Sequence, residues 1–190
     1  MSTKLSGKWY NRLMKLYFAR HGQTNANANM TGGLSIAELD EPLNELGVQQ
    51  AKELAKQLKD VRFDAIICSP LKRASQTAEF INAYHGNKII LDSAWRERQA
   101  DMHIDINSWN DLFDFDKNIL VENGESLKQF FDRVYAAINK LKADYENKTV
   151  LVVSHGGVQH ALYAYANQLP WAGNMRISPT KNCEYRIYDL

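Results

Sequence analysis

Arg20 and His21 directly follow an apolar run at residues 14–19, interrupted only by Lys15, and Gly22 comes next. An arginine presents a planar fork of N–H donors that suits phosphate or carboxylate, and a neutral imidazole can act as a nucleophile or a general base. The run itself predicts a strand that is buried on both faces. Because ligands of parallel α/β sheets bind where the strands end, the sequence predicts a functional site at this boundary.

Two further strand-like runs are followed by side chains that can bind or protonate an anion. Residues 63–68 are apolar apart from Asp64, and Arg73 lies in the first turn of the helix for which Ser69 is the predicted N-cap. Glu97 comes shortly after the run at 88–91, where its carboxyl group can reach a leaving oxygen. The alternative for Arg73 is a solvated surface arginine, but its place at a strand-to-helix junction favours a functional role.

A second histidine also occupies a strand end. Residues 149–153 are an uninterrupted β-branched and aliphatic run, and His155, Gly156 and Gly157 follow shortly after it. The glycines leave the amides at the start of the next helix accessible to an anion. A lone histidine in a turn is the alternative, and the matching position of His21 argues against it.

Together these residues predict a pocket for a tetrahedral dianion, of which phosphate is the natural example. Arg20, Arg73 and His155 would stabilise the equatorial oxygens while His21 attacks phosphorus and forms a phosphohistidine. The second ring nitrogen of His21 would be held by an acceptor such as a backbone carbonyl. Glu97 suits the protonation of the leaving alkoxide. No P-loop, aspartate-rich cluster or metal-ligand spacing is present, so we expect neither a metal nor another cofactor.

Two segments without clear periodicity border the predicted strand ends. Residues 25–43 contain glycines and a proline and predict a loop, in which Asn27 either donates a hydrogen bond to a bound anion or caps a local turn. Residues 98–122 predict a lid over the site. The aromatic residues of that lid are Trp109, Phe113 and Phe115.

The remaining pattern predicts the scaffold. Asn44 is the expected N-cap of a helix that runs through Lys59, and Ser126 with Gln129 has the spacing of a capping box. Residues 184–190 predict a final edge strand. Strands that alternate with helices indicate an α/β fold, a three-layer α/β/α sandwich with a mostly parallel sheet of five or six strands.

Composition narrows the class of protein further. The 190 residues include 23 basic and 22 acidic ones, a net charge of +1 that gives no electrostatic case for nucleic acid or a membrane surface as partner. The length suits one domain at 14–190 after an N-terminal extension at 1–13. Cys68 and Cys183 have no metal-ligand or redox spacing, and no apolar run is long enough to span a bilayer. These features predict a cytoplasmic protein with reduced cysteines.

From residue 14 to about residue 190 the chain resembles the histidine phosphatase, or phosphoglycerate mutase-like, superfamily. The stretches that carry the resemblance are ARHGQTNAN at 19–27, DEPLNELGVQQA at 40–51, CSPLKRASQTA at 68–78 and VVSHGGV at 152–158, with NGES at 123–126 as a lesser match. The resemblance implies a mostly parallel sheet with one antiparallel strand. It also implies a phosphohistidine at His21, proton donation by Glu97 and phosphate binding by Arg20, Asn27, Arg73 and His155.

The resemblance leaves alternatives open for the proton donor and for the activity. Family members commonly have glycines after the acidic residue that corresponds to Glu97, whereas this chain has ERQADMHIDI at 97–106, so Asp101 is a second candidate proton donor. The favoured activity is metal-independent hydrolysis of a small phosphorylated substrate, with inorganic phosphate as a product. A phosphoglycerate mutase-type phosphotransferase and a phosphate-binding module without turnover are the alternatives.

Overall fold

The structure, a computed structural model, describes residues 13–28, 40–98, 111–117, 119 and 124–190. These residues form one five-stranded sheet with the strand order β3-β2-β4-β1-β5. The strands are β1 (Lys15–Arg20), β2 (Ala65–Cys68), β3 (Ile89–Leu91), β4 (Thr149–Ser154) and β5 (Tyr185–Asp189). The helices are α1 (Asn25–Ala28), α2 (Glu45–Leu58), α3 (Lys72–Asn82), α4 (Leu127–Asp144) and α5 (Gly156–Ala166).

β1 lies between β4, with which it is parallel, and the antiparallel edge strand β5. β2 is parallel to both β4 and β3. The carboxyl ends of β1, β2 and β4 therefore lie along one edge of the sheet. This arrangement confirms the predicted mostly parallel sheet with an antiparallel edge strand, and it brings the chemistry-bearing strand ends to one side of the molecule.

Successive side chains of β1 enter two different hydrophobic cores. Leu16 and Phe18 lie in the core that α4 and α5 cover, whereas Ala19 lies in the core that α2 and α3 cover. Because neighbouring side chains of a strand face opposite sides of the sheet, an apolar run is required to fill both. The helical layers on the two faces confirm the predicted α/β/α sandwich.

The helix starts follow the sequence signals in two cases and depart from them in a third. Asn44 Oδ1 accepts from Gly47 N at the start of α2, and the Ser126–Gln129 capping box at the start of α4 is present. Ser69 was predicted to be the N-cap of α3, but in the structure the N-cap residue is Leu71. The prediction failed because Asp40, from a distant loop, caps this helix by accepting from Lys72 N at 2.6 Å.

Two predicted irregular segments are described only in part. In the segment 25–43, residues 25–28 form the helical turn α1 rather than loop, and residues 29–39 lie outside the described part of the chain. Within the predicted lid, Asp111–Phe113 form a 3-10 turn whose Leu112 and Phe113 are buried. Phe115 stacks on Trp171, with ring centroids 5.6 Å apart. The described aromatic residues of the lid therefore pack inward.

Other predictions fall outside the described residues. They concern the N-terminal extension up to residue 12, Asp101 and Trp109. In the described part of the chain, no helix combines the length and the apolar character that crossing a membrane requires.

Candidate active site

His21 is buried at the end of β1, and both of its ring nitrogens have partners. Nδ1 lies 2.7 Å from the carbonyl oxygen of Gly22, and Nε2 accepts a hydrogen bond from Arg73 Nε at 3.2 Å. Burial first, and then the charges of Arg73 and Arg20, hold the pKa of His21 well below 6.5. The imidazole is therefore neutral near pH 7, with its proton on Nδ1 and an electron pair on Nε2. A neutral nitrogen held in this way has the form that a nucleophile needs.

Gly22 allows the turn after His21 to pack closely on α2. A Cβ at this position would lie 2.6 Å from the backbone oxygen of Gly47. The amide of Gly22 donates to Thr77 Oγ1 at 3.1 Å, and Thr77 Oγ1 donates to the carbonyl oxygen of Arg73 at 2.7 Å. The turn that bears His21 is thus joined to α3, the helix that carries Arg73.

Two arginines enter the site from different elements. Arg20 is the last residue of β1 and donates through Nη1 to the carbonyl oxygen of Thr180, while its Nε is buried without a partner among the described residues. Arg73 lies in the first turn of α3 and is only 1% exposed. Burial lowers the pKa of both guanidinium groups, and the charge of Glu97 opposes this effect in each. Both remain cations, because arginine does not lose its proton in proteins.

His155 is the N-cap residue of α5, and its ring centroid lies 5.1 Å from that of His21. Its Nε2 is 2.8 Å from Ser69 Oγ, whereas its Nδ1 is buried and has no partner in the described part of the chain. The pKa of His155 is well below 6.5, chiefly because of burial and then because of Arg73. A neutral imidazole therefore faces the same pocket as the two guanidinium groups.

Glu97 lies against the start of α5. One carboxylate oxygen accepts from Gly157 N at 2.9 Å, and the other accepts from Arg98 N at 2.9 Å. A Cβ on residue 157 would lie 2.1 Å from Glu97 Oε1, so only glycine leaves room for this carboxylate. A Cβ on Gly156 would instead meet Arg20 Nε at an ordinary 3.6 Å. The predicted proton donor and the predicted anion-binding helix start are thus in direct contact.

Asn27 contacts a residue that the sequence did not single out. Asn182, which precedes β5, donates from Nδ2 to the carbonyl oxygen of His21 at 3.0 Å and to Asn27 Oδ1 at 3.2 Å. Because the Asn27 oxygen is the acceptor, its amide nitrogen remains available as a donor, and no described residue accepts from it. Asn182 lies in an irregular segment with no periodicity or motif, so no sequence signal marks it.

The structure therefore brings most of the candidate residues to one place. His21 is hydrogen-bonded to Arg73, its ring lies 5.1 Å from that of His155, and the charge of Arg20 acts on both histidines. Gly156 lies beside Arg20, and Glu97 lies beside Gly157. We refer to the cluster of Arg20, His21, Arg73 and His155 as the pocket. Arg20 Nε and the Nδ1 ring nitrogen of His155 are buried and have no partner among the described residues, and such groups are normally satisfied by a ligand or water. The arrangement suits an anion that several N–H groups bind at once. Asn27 is connected to this pocket through Asn182.

Other reactive side chains have no role in the pocket. Among the residues that the structure describes, no three or more His, Cys, Asp or Glu side chains form a cluster that could hold a metal ion. Burial raises the pKa of both Cys68 and Cys183 to about 12, so each remains a thiol near neutral pH. A cysteine in this form is a poor nucleophile.

Comparison with known proteins gives consistent results. The profile of the family described as the histidine phosphatase superfamily (branch 1) matches residues 16–190. The uncharacterized phosphatase PhoE of Bacillus subtilis is 36% identical over 143 residues, covering 75% of this chain and 72% of the relative. An adenosylcobalamin/alpha-ribazole phosphatase of Salmonella typhi is 31% identical, with coverage of 90% and 88%. The solved structure of a mycobacterial glucosyl-3-phosphoglycerate phosphatase matches with a TM-score of 0.78 at 26% identity, covering 93% of this chain and 90% of that one.

Proposed function

Because the chain belongs to the histidine phosphatase superfamily (branch 1) and is a phosphatase of that family, we propose that it hydrolyses phosphomonoesters through a phosphohistidine on His21, without a metal ion. The observation that carries this proposal is the state of the His21 ring. Its Nδ1 donates to a backbone carbonyl and its Nε2 presents an electron pair. No base is needed to activate a nucleophile in this form.

The first chemical step follows from the surrounding charges. Arg20, Arg73 and His155 bind the phosphoryl oxygens and stabilise the charge that spreads over them in the transition state. The Arg73 Nε–H then bonds to a phosphoryl oxygen instead of His21, which releases the electron pair on Nε2 for attack. Glu97 in its protonated form gives its proton to the departing alkoxide.

The second step returns the enzyme to its starting state. Glu97, now a carboxylate, takes a proton from a water molecule as the water attacks the phosphohistidine. Phosphate leaves, and Glu97 regains the proton that the next cycle requires. The same side chain therefore acts first as an acid and then as a base. Its contact with Gly157 N at the start of α5 would keep it beside the phosphoryl group in both steps.

The proposed substrate class is the phosphate ester of a small metabolite. Two of the similar proteins have names that give small organic molecules as their phosphatase substrates, alpha-ribazole and glucosyl-3-phosphoglycerate. A small ester suits this site because His21, Arg73 and His155 are almost fully buried. Inorganic phosphate is the proposed second product.

A quench experiment tests the covalent intermediate. Rapid acid-free denaturation during turnover of a 32P-labelled aryl phosphate should trap label on His21 that is lost in acid and retained in alkali. The His21→Ala variant should show neither label nor turnover. His85→Gln is the matched control, because this imidazole packs against Phe63 with ring centroids 5.0 Å apart, away from the pocket. Near-normal turnover of His21→Ala would show that the proposal is wrong.

Two further assays separate hydrolysis from its alternatives. Release of inorganic phosphate from p-nitrophenyl phosphate should persist after dialysis against EDTA, and inhibition that added metal reverses would contradict the metal-independent mechanism. Conversion of 3-phosphoglycerate to 2-phosphoglycerate, faster than phosphate release, would identify a mutase. Tight phosphate binding without any turnover would identify a binding module.

A further inference from the structure

Ser69 lies between the end of β2 and the start of α3, and its side chain is completely buried. Its Oγ is 2.8 Å from Nε2 of His155. The same oxygen accepts a long hydrogen bond, 3.4 Å, from the amide of Leu71. The described residues offer the Ser69 hydroxyl hydrogen no acceptor other than the His155 ring. The hydroxyl therefore has one place to donate, and that place is an imidazole nitrogen of the candidate active site.

We propose that Ser69 is a positioning residue that fixes the tautomer of His155. Its hydroxyl donates to Nε2, so that the ring proton resides on Nδ1 and Nδ1–H donates to the phosphoryl group. This inference rests on the proposed function and adds to it, because it specifies how a neutral histidine serves as a donor to an anion. Ser69 itself does not touch the substrate.

The hydrogen-bond inventory distinguishes the two possible arrangements. If Ser69 donates, its hydrogen, the electron pair of Nε2 and the Leu71 amide are all satisfied, and only the Nδ1–H donor awaits a ligand. If His155 Nε2–H donates instead, the Ser69 hydrogen is buried without an acceptor. In that case the electron pair of Nδ1 also faces the anion. A buried unsatisfied group costs about 1–3 kcal/mol, and repulsion of the anion would be added to it.

The tautomer matters because His155 carries one ring proton and not two. Burial, together with the positive charge of Arg73, keeps the pKa of this imidazole well below 6.5. A neutral imidazole donates through one nitrogen and accepts through the other. The nitrogen that faces Ser69 therefore determines what the other nitrogen offers to the phosphate. This logic matches that of a hydrogen-bond partner that fixes the tautomer of a metal-binding histidine.

Nuclear magnetic resonance tests the tautomer directly. Long-range 1H–15N correlation spectra of the uniformly 15N-labelled full chain at pH 7.5 report the protonation of each His155 nitrogen. We expect a protonated Nδ1 and an unprotonated Nε2, both in the free protein and with inorganic phosphate. The Ser69→Ala variant should move toward the Nε2–H tautomer. A wild-type Nε2–H tautomer, or an imidazolium in the phosphate complex, would overturn the inference.

Kinetics with matched variants separate positioning from simple loss of stability. Ser69→Ala should lower kcat/KM for p-nitrophenyl phosphate about tenfold to hundredfold and weaken inhibition by orthovanadate by a similar factor, since a buried acceptor loses its partner. Ser154→Ala is the matched control. Its hydroxyl is equally buried and donates to the carbonyl oxygen of Trp95 at 2.6 Å, whereas the His155 ring has its described hydrogen bond with Ser69. We expect a comparable loss of Tm, an unchanged His155 tautomer and a smaller kinetic loss.

The conservative variant completes the test. Ser69→Thr retains the hydroxyl and should restore the Nδ1–H signature and most of the activity. If that variant does not fold, the wild-type spectrum alone still decides the tautomer. Equal kinetic losses in Ser69→Ala and Ser154→Ala, with unchanged His155 spectra, would overturn the positioning role. A wild-type protein that neither hydrolyses the aryl phosphate nor labels His21 would contradict the proposed function instead.

Discussion

Arg73 Nε donates a hydrogen bond to His21 Nε2 across 3.2 Å. A guanidinium group has no acceptor atom, so this contact requires an unprotonated Nε2. The carbonyl oxygen of Gly22 holds the other ring nitrogen at 2.7 Å. The cation that would bind the phosphoryl group therefore also keeps the nucleophile in its reactive form until the substrate arrives.

The pH response of His21 should follow from this contact. Burial first, and then the positive charges of Arg73 and Arg20, disfavour the imidazolium and lower the pKa of His21, so Nε2 remains unprotonated as the pH falls through 6.5. An NMR titration of His21 in the free protein should give a midpoint below that value. Arg73→Gln removes the adjacent charge and should raise the midpoint. Equal midpoints near 6.5 in both proteins would contradict the electrostatic explanation.

Glu97→Gln should reveal proton donation through its dependence on the leaving group. Alkyl phosphates need protonation of a poor leaving group, so their hydrolysis should slow about a hundredfold or more. Nitrophenyl phosphate needs little assistance and should be affected much less. Steady-state kinetics with both substrates measure the difference. Equal losses would assign the proton to Asp101 or give Glu97 a purely structural role.

Alanine substitutions at the two glycines of α5 should have unequal effects. In Gly157→Ala the new Cβ would lie 2.1 Å from Glu97 Oε1 and would displace the carboxylate. A displacement of about 1 Å can reduce the rate about a hundredfold, and alkyl phosphates should suffer most. Gly156→Ala places its Cβ 3.6 Å from Arg20 Nε and should cost less. A reversed order, measured as kcat/KM, would argue against Glu97 as the acid.

Asn182→Ala should weaken phosphate binding more than it slows chemistry. It removes the hydrogen bonds to the carbonyl oxygen of His21 and to Asn27 Oδ1, each worth about 1 kcal/mol. We expect KM and the phosphate inhibition constant to rise several-fold. A double-mutant cycle with Asn27→Ala should show coupling, since each residue acts partly through the other. Strictly additive losses would show that Asn182 does not orient Asn27.

The sequence predicted those site residues that lie close in the chain to the end of a predicted strand. Arg20 and His21 come directly after one apolar run, and His155 comes shortly after another. A prediction of the strands therefore also places these side chains at the edge of the sheet. Arg73 follows equally from the strand-to-helix junction. These positions need no knowledge of which strands are neighbours, because the ends of parallel strands meet at one edge.

Contacts between distant segments could not be predicted in the same way. Asp40 caps α3 from a loop that precedes α2, and its carboxylate replaces the cap expected from Ser69. That replacement leaves the Ser69 hydroxyl for His155. Asn182 contacts the loop after β1 only because β5 is antiparallel to β1. Local propensity carries no information about such pairings.

Phe113 shows the same limit for the predicted lid. The sequence placed this aromatic residue in a segment without clear periodicity, residues 98–122, which is predicted to be a lid over the site. In the structure Phe113 is 8% exposed and packs edge-on against Phe130, with ring centroids 6.4 Å apart. Met175 N donates to its carbonyl oxygen at 2.7 Å. A Cβ on Gly157 would lie 3.1 Å from Phe113 Cζ, so this ring also lies beside the start of α5. The composition of the segment does not encode these tertiary contacts, and the lid over the site stays a prediction.

The central place of β1 also has a consequence for the order of folding. Lys15 pairs with Thr149 on one side and with Asp189 on the other. During synthesis β1 leaves the ribosome long before either partner exists, and closing such large loops makes folding slow. We therefore expect the surroundings of His21 to be complete only after β4 and β5 have been synthesised. A nascent chain that ends before β5 contains Arg20 and His21 but lacks the antiparallel partner of β1, so we expect phosphatase activity only after β5 has docked.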